Sequence, residues 1–223
     1  MPTMTPTTHE VVLDAAEHMP ADSRLVIYDF SWDEYELLLE ERGKRRKPRL
    51  TYDCGRLDVV TTSTRHDRCE FPISLLVATY CATFDFMVEG FGRSTWKRKD
   101  LLKGLEADAC FFIQNASKVI GKTEFDIEVD PVPDLALEID ITRDSRKKFE
   151  IYAALGFPEI WRYDGERFYF YGLNKPEHDE IATSRSLPGL APTMLEEALR
   201  VSDSKGSIEA TKAFRRLIET LKK

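Results

Sequence analysis

The chain has 223 residues, 42% of them hydrophobic and 32% charged, with a formal net charge of −7. That is long and apolar enough for one sizeable core, yet no stretch approaches the roughly 18 apolar residues that a membrane span needs. The acidic balance excludes a protein that coats nucleic acid indiscriminately, though not one that touches DNA through a local basic patch.

In chain order, residues 1–24 read as a flexible, polar N-terminal arm without the basic-then-apolar layout of a secretory signal. Ser31-Trp-Asp-Glu34 predicts a capping box, with Phe30 and Tyr35 as its hydrophobic staple, and the helix should stop near Gly43. Basic residues crowd the next segment: Arg42, Lys44, Arg45, Arg46, Lys47 and Arg49. Residues 49–52 and 56–61 predict a hairpin around Asp53-Cys54-Gly55. From Ser63 to Phe84 apolar residues recur at three and four, which predicts a helix that Pro72 either kinks or opens. Short strands are expected near 86–89, 93–97, 108–113 and 133–141, with a second basic run of Arg93, Lys97, Arg98, Lys99 and Lys103 among them. Asp144–Leu155 predicts a helix closed by Gly156 and Pro158. A hairpin near 159–163 and 167–172 and two helices near 192–201 and 207–222 complete the chain. One domain of the α/β or α+β class over 25–203, with α/β as the expected fold, followed by an amphipathic helix within 204–223, is the expected organisation. The cysteines Cys54, Cys69, Cys81 and Cys110 show no CxxC spacing, so thiols in a cytoplasmic protein are expected in place of a zinc site or a disulfide framework.

The densest chemistry lies in Asp134-Leu-Ala-Leu-Glu138-Ile-Asp140-Ile. In a strand, Leu135, Leu137, Ile139 and Ile141 share one face, while Asp134, Glu138 and Asp140 share the other with Ala136. Carboxylates ~5 Å apart repel by roughly 3 kcal/mol at an effective dielectric near 20, a cost that a divalent cation removes. Asp108, at the head of another predicted strand, is spaced so that neighbouring strands bring it to the same ion as Glu138. Oxygen donors in this number suit Mg2+ or Mn2+ better than Zn2+. Helical period selects the amine: Lys148 lies four before Tyr152 and seven before Leu155, in the stripe facing the sheet, whereas Lys147 falls at its edge.

These stretches resemble the PD-(D/E)xK nucleases and, more narrowly, the Uma2 family of restriction endonucleases. The resemblance rests on Gly92-Arg-Ser-Thr-Trp-Lys-Arg, Gly104-Leu-Glu-Ala-Asp108-Ala-Cys-Phe-Phe-Ile-Gln114-Asn, Pro133-Asp-Leu-Ala-Leu-Glu138-Ile-Asp and Lys148-Phe-Glu-Ile-Tyr152-Ala-Ala-Leu-Gly156-Phe-Pro-Glu159-Ile-Trp161-Arg-Tyr. The last is the most specific. The resemblance implies a restriction-endonuclease-like mixed central sheet flanked by helices, a divalent metal and hydrolysis of DNA phosphodiester bonds. It implies Asp108, Glu138 and the backbone carbonyl of Ile139 as metal ligands, and Lys148 as the catalytic lysine moved from strand to helix. Asp140 then stands where other superfamily members carry that lysine. Asp67, with Glu70 as the other candidate, matches the acidic position at the start of the first core helix, and Gln114 matches a polar family position. Arg45, Arg46, Lys97 and Arg98 are the candidate phosphate contacts, and a homodimer would serve cutting of both strands. Family members often carry Glu-Pro-Asp where this chain has Glu106-Ala107-Asp108, and His-Glu-Arg where it has His66-Asp67-Arg68. Asp67, Pro72 and the acidic balance motivate an alternative, a weakened nuclease-fold module that binds DNA or a protein without turnover. A phosphodiesterase of small nucleotides would use the same metal logic.

Overall fold

Ser31 starts its helix as the spacing predicts: its hydroxyl accepts from Glu34 N at 3.2 Å, and the Glu34 carboxylate accepts from Ser31 N at 2.8 Å. In a computed structural model, which describes residues 7–43, 47–142 and 144–222 (the backbone alone for 64–67), this helix belongs to the first of two compact units. That unit comprises Met1–Ser63 and Thr95–Glu106, and the second comprises Thr64–Ser94 and Ala107–Lys223.

The first unit holds helices α1 (Thr8–His18) and α2 (Trp32–Arg42) and strands β1 (Arg24–Ile27), β2 (Arg49–Asp53), β3 (Arg56–Val60), β5 (Thr95–Arg98) and β6 (Lys103–Glu106). Helix α1 falls inside the segment expected as a flexible arm. Its buried Val12, Leu13 and Ala16 recur at three and four and join Trp32, Tyr35, Leu50 and Tyr52 in one core, which is what orders it. The strands run in the order β1-β3-β2-β6-β5, each pair antiparallel. Glu106 ties this unit together from inside. Its carboxylate accepts from the Arg42 guanidinium, from Leu50 N at 3.0 Å and from Thr95 Oγ1 at 3.0 Å. Gly104 has to be glycine, since a Cβ there would stand 2.6 Å from the Tyr35 hydroxyl.

The second unit is built on a six-stranded sheet ordered β11-β10-β9-β8-β7-β4. Its strands are β4 (Glu89–Phe91), β7 (Ala109–Phe112), β8 (Leu135–Ile139), β9 (Glu159–Tyr163), β10 (Phe168–Asn174) and β11 (Glu177–Ile181). Only β8 and β9 pair in parallel, joined through helix α4 (Phe149–Leu155), so the sheet is mixed. Helices α3 (Thr64–Thr83), α5 (Pro192–Lys205) and α6 (Ser207–Ile218) cover one face. There Ile73, Leu76, Val77, Leu195, Phe214 and Ile218 meet Leu135, Leu137, Ile139 and Trp161. Pro72 lies in the interior of α3, not in its first turn. Helix α4 lies on the opposite face, with Phe149 edge-on to Tyr171 at 4.8 Å. It ends where Gly156, at φ 87°, returns its N–H to Tyr152 O and Ala153 O, and Phe157 N also reaches Tyr152 O, a Schellman-type stop.

Three short strands, β1, β6 and β11, were not expected from the sequence, and β4 begins at Glu89 where a strand over 86–89 was predicted. All four cysteines are free thiols. Among the described residues no helix is long and apolar enough to cross a membrane.

Candidate active site

The alternation read from the sequence places Leu135, Leu137 and Ile139 in the core and turns Glu138 and Asp140 to the face under α4. Both faces of β8 are covered, so the acids are buried: Glu138 is 3% and Asp140 8% exposed. Three carboxylates buried this close need partners, and each has found different ones.

Asp134 is committed to Ile113 and Asn115. Its Oδ2 accepts from Ile113 N at 2.7 Å and Asn115 N at 3.0 Å, and its Oδ1 from Asn115 Nδ2 at 2.7 Å. The expectation that all three acids on this face await a cation therefore fails for Asp134, which fastens the turn after β7. Asp140 is also engaged: Oδ2 accepts from Ser145 N at 2.9 Å, from Ser145 Oγ at 3.0 Å and from the Arg162 guanidinium. Burial first, and the nearby Glu138 charge second, push the Asp140 carboxyl above the usual aspartate range. Arg162 comes from β9, where the parallel register sets it beside Glu138, and its guanidinium lies 5.3 Å from the Tyr169 ring centroid.

Glu138 meets the amine that helical period selected. Lys148 Nζ lies 3.0 Å from both Oε1 and Oε2, and the Tyr152 hydroxyl donates to Oε1. Lys148 ends a 3₁₀ turn (Ser145–Lys148) and caps α4, whereas a single helix from Asp144 was expected. The turn is shaped by Asp144, which accepts from Arg146 N, and by Asp140, which accepts from Ser145. Lys147 is exposed.

Asp108 is 1% exposed and stands just before β7, not within it. Its N–H donates to Leu137 O at 3.0 Å while Ala109 also pairs with Leu137, the two-against-one pairing of a β-bulge. The step re-aims the side chain along β8, where Asp108 Oδ2 accepts from Ile139 N at 2.6 Å. Asp108 thus touches the residues on either side of Glu138. The structure brings Asp108, Glu138, Ile139, Asp140 and Lys148 together within one unit.

The remaining candidates lie elsewhere or are otherwise engaged. Glu70 is on α3, with its carboxylate beside Gly92. The Asp67 side chain lies outside the described residues, as do Arg45 and Arg46. Gln114 donates from Nε2 to Ser186 O at 2.9 Å, in a loop that Glu159 also fastens by accepting from Ser186 N at 2.7 Å and Arg185 N at 3.1 Å. Lys97 pairs with Glu36, and Arg98 with Asp100, in the first unit. Sequence reading did not single out Tyr152 or Arg162 as site residues. Tyr152 follows Lys148 by one helical turn and so points the same way. Arg162 is the one cation in the strand Glu159-Ile-Trp-Arg-Tyr163, which is the signal that marks it.

A family model described as "Uma2: Putative restriction endonuclease" matches residues 32–204. The chain belongs to the Uma2 family. The Uma2 match spans both units and every site residue above. A crystal structure of a "putative nuclease belonging to DUF820" from Anabaena variabilis ATCC 29413 is similar in fold, with a TM-score of 0.51 at 14% identity, over 74% of this chain and 96% of that one. No curated protein matches the chain. The Uma2 assignment thus makes this a nuclease-family protein, and the mixed sheet flanked by helices is the fold that the resemblance implied.

Among the described residues no group of three or more His, Cys, Asp or Glu side chains could hold a metal ion. What the site offers is narrower: two buried carboxylates, Asp108 and Glu138, and the backbone of Ile139 between β7 and α4. That all-oxygen set fits a cation that keeps most of its water, as Mg2+ does, and does not fit a closed zinc site.

Proposed function

We propose that this chain is a cytoplasmic, metal-dependent endonuclease that hydrolyses DNA phosphodiester bonds. The observation that carries the reading is the convergence of Asp108 and Lys148 on the two sides of Glu138. Asp108, Glu138 and the Ile139 carbonyl would hold Mg2+ or Mn2+, which when bound supplies charge neutralisation at the scissile phosphate and a more acidic water. Lys148, on a long stem and partly exposed, can orient the attacking water and balance the charge that builds on the phosphate oxygens. Asp140 and Arg162 do not reach the reacting atoms in this scheme. They fasten the turn from which Lys148 projects. Asp67 or Glu70 would take an outer role on a bound water. Arg45, Arg46, Lys97 and Arg98 would contact phosphates, Lys97 and Arg98 by exchanging their present carboxylate partners for them. A homodimer would place two such sites on a duplex.

The experiment is cleavage of supercoiled and linear DNA by purified protein with Mg2+, with Mn2+ and with chelator. Cleavage should require the metal and should fall by at least about a hundredfold in Asp108→Ala and in Glu138→Ala, in line with loss of a group that stabilises developing charge. Undiminished cutting by either variant would remove the mechanism.

One observation favours a second reading, the non-catalytic module: the Glu138 carboxylate is paired with Lys148 and accepts from Tyr152. Isothermal titration with Mg2+ separates the two, since an inert module should take up no ion at millimolar concentration.

A further inference from the structure

The Glu138 carboxylate is held by two donors that differ in their freedom to leave. The Tyr152 hydroxyl sits on a fully buried ring, packed edge-on against Phe157 at 4.9 Å, and donates to Oε1. Lys148 sits at the end of a 3₁₀ turn, its side chain is 21% exposed, and its ammonium spans both oxygens at 3.0 Å. A buried carboxylate with a single neutral donor, unlike Asp134 with its three N–H groups, needs a compensating cation as well. Arg162, the other cation in register with Glu138, is held by Asp140 and is not available to replace Lys148. Among the described residues, the negative charge of Glu138 therefore has the Lys148 ammonium as its counter-ion, with an arriving metal as the alternative, and like charges at contact distance exclude one another.

We propose that Lys148 and a divalent cation compete for Glu138, with Tyr152 fixing Oε1 throughout, so that metal binding and release of the Lys148 ammonium from Glu138 are one exchange. This rests on the metal-dependent reading above and deepens it. The amine that balances charge on a phosphate is stored on the ligand carboxylate and leaves that carboxylate only when the ion that polarises that phosphate has arrived. The exchange moves no covalent bond: one ammonium–carboxylate contact breaks and one metal–carboxylate contact forms, with Tyr152 acting as a positioning residue.

The test is isothermal titration of the full chain with Mn2+ alone, for wild type, Lys148→Gln and Lys148→Arg. Glutamine keeps a donor to Glu138 without the charge, and Mn2+ should bind about tenfold tighter. Arginine keeps the charge and grips a carboxylate in bidentate fashion, so Mn2+ should bind more weakly than to wild type. Opposite shifts of the two variants support the exchange, whereas equal affinities, or weakening in both, would overturn it while leaving the metal site in place. No binding by any of the three would remove the metal-dependent reading as well. If a variant does not fold, the ammonium resonance of Lys148 in 15N-lysine-labelled wild type answers the same question. Mg2+ should shift that resonance and accelerate its exchange with water, and an unaffected Lys148 signal at saturating Mg2+ would overturn the proposal.

Discussion

Asp140, a candidate from its place on the acidic face of β8, is held by neighbouring structural groups. Its carboxylate binds the Arg162 guanidinium and both donors of Ser145, and so fixes where the turn to Lys148 begins. Asp140→Ala would leave Arg162, whose side chain is 14% exposed, without its carboxylate and would orphan the Ser145 N–H. The expected cost is about 3 kcal/mol of unfolding free energy, read by urea denaturation. A loss below about 1 kcal/mol would mean that the pair contributes no more than a surface bridge. Asp134 repeats the lesson at the other end of β8, where three donors from residues 113–115 consume it. A row of acids along a strand face is legible in a sequence. Which of them is engaged is decided by partners such as Ile113, Asn115 and Arg162, about twenty residues away, which no period reveals.

At the scale of elements, what carries its own local signal was legible. The Ser31 box, the Gly156 stop and the alternation in β8 each rest on residues within one turn or one strand, and the structure follows them. Lys148 was legible for the same reason, since helical period needs no tertiary information, and the short 3₁₀ turn before α4 does not change its direction. The parallel register of β9 on β8, which brings Arg162 beside Glu138, has no local signature. Strand β11 was missed because Glu177-His-Asp-Glu180 lacks apolar alternation; it is an edge strand, and charge there discourages pairing with other chains. Besides its ladder to β10, that edge is tied down by His178, whose Nε2 lies 2.8 Å from Phe157 O, just past α4. Burial, the largest influence, holds the His178 imidazole below its ordinary range. With the folded value depressed, this residue's contribution is present above the unfolded value near 6.5 and is lost as pH falls through the folded one. Wild type should therefore lose melting temperature between about pH 7 and pH 5 faster than His178→Gln, by roughly 2–4 °C for each kcal/mol involved in a chain of this size. Parallel melting curves for the two proteins would show His178 to be a bystander.

At the scale of the whole molecule, charge decides how DNA could be approached. The segments of the first unit carry 12 basic against 14 acidic residues, and those of the second carry 20 against 25, so neither offers a net positive field. A phosphate backbone would be held by individual cations and by metal-compensated carboxylates, not by the long-range attraction that steers basic proteins. Each phosphate contact contributes about −0.9 to the slope of log K against log salt on duplex DNA. Four candidates, Arg45, Arg46, Lys97 and Arg98, therefore set a ceiling of about −4 for the slope they contribute. Binding measured with Ca2+, which supports ligation by hard oxygen donors while cleavage is held back, should show a slope no steeper than that. Lys97→Gln should then make it shallower by about one while leaving sequence preference unchanged. Lys97 now pairs with Glu36, so Glu36→Gln, which removes its competitor for phosphate, should tighten binding at low salt. A slope far beyond −4, or indifference to both substitutions, would place the DNA contact on another surface of the protein.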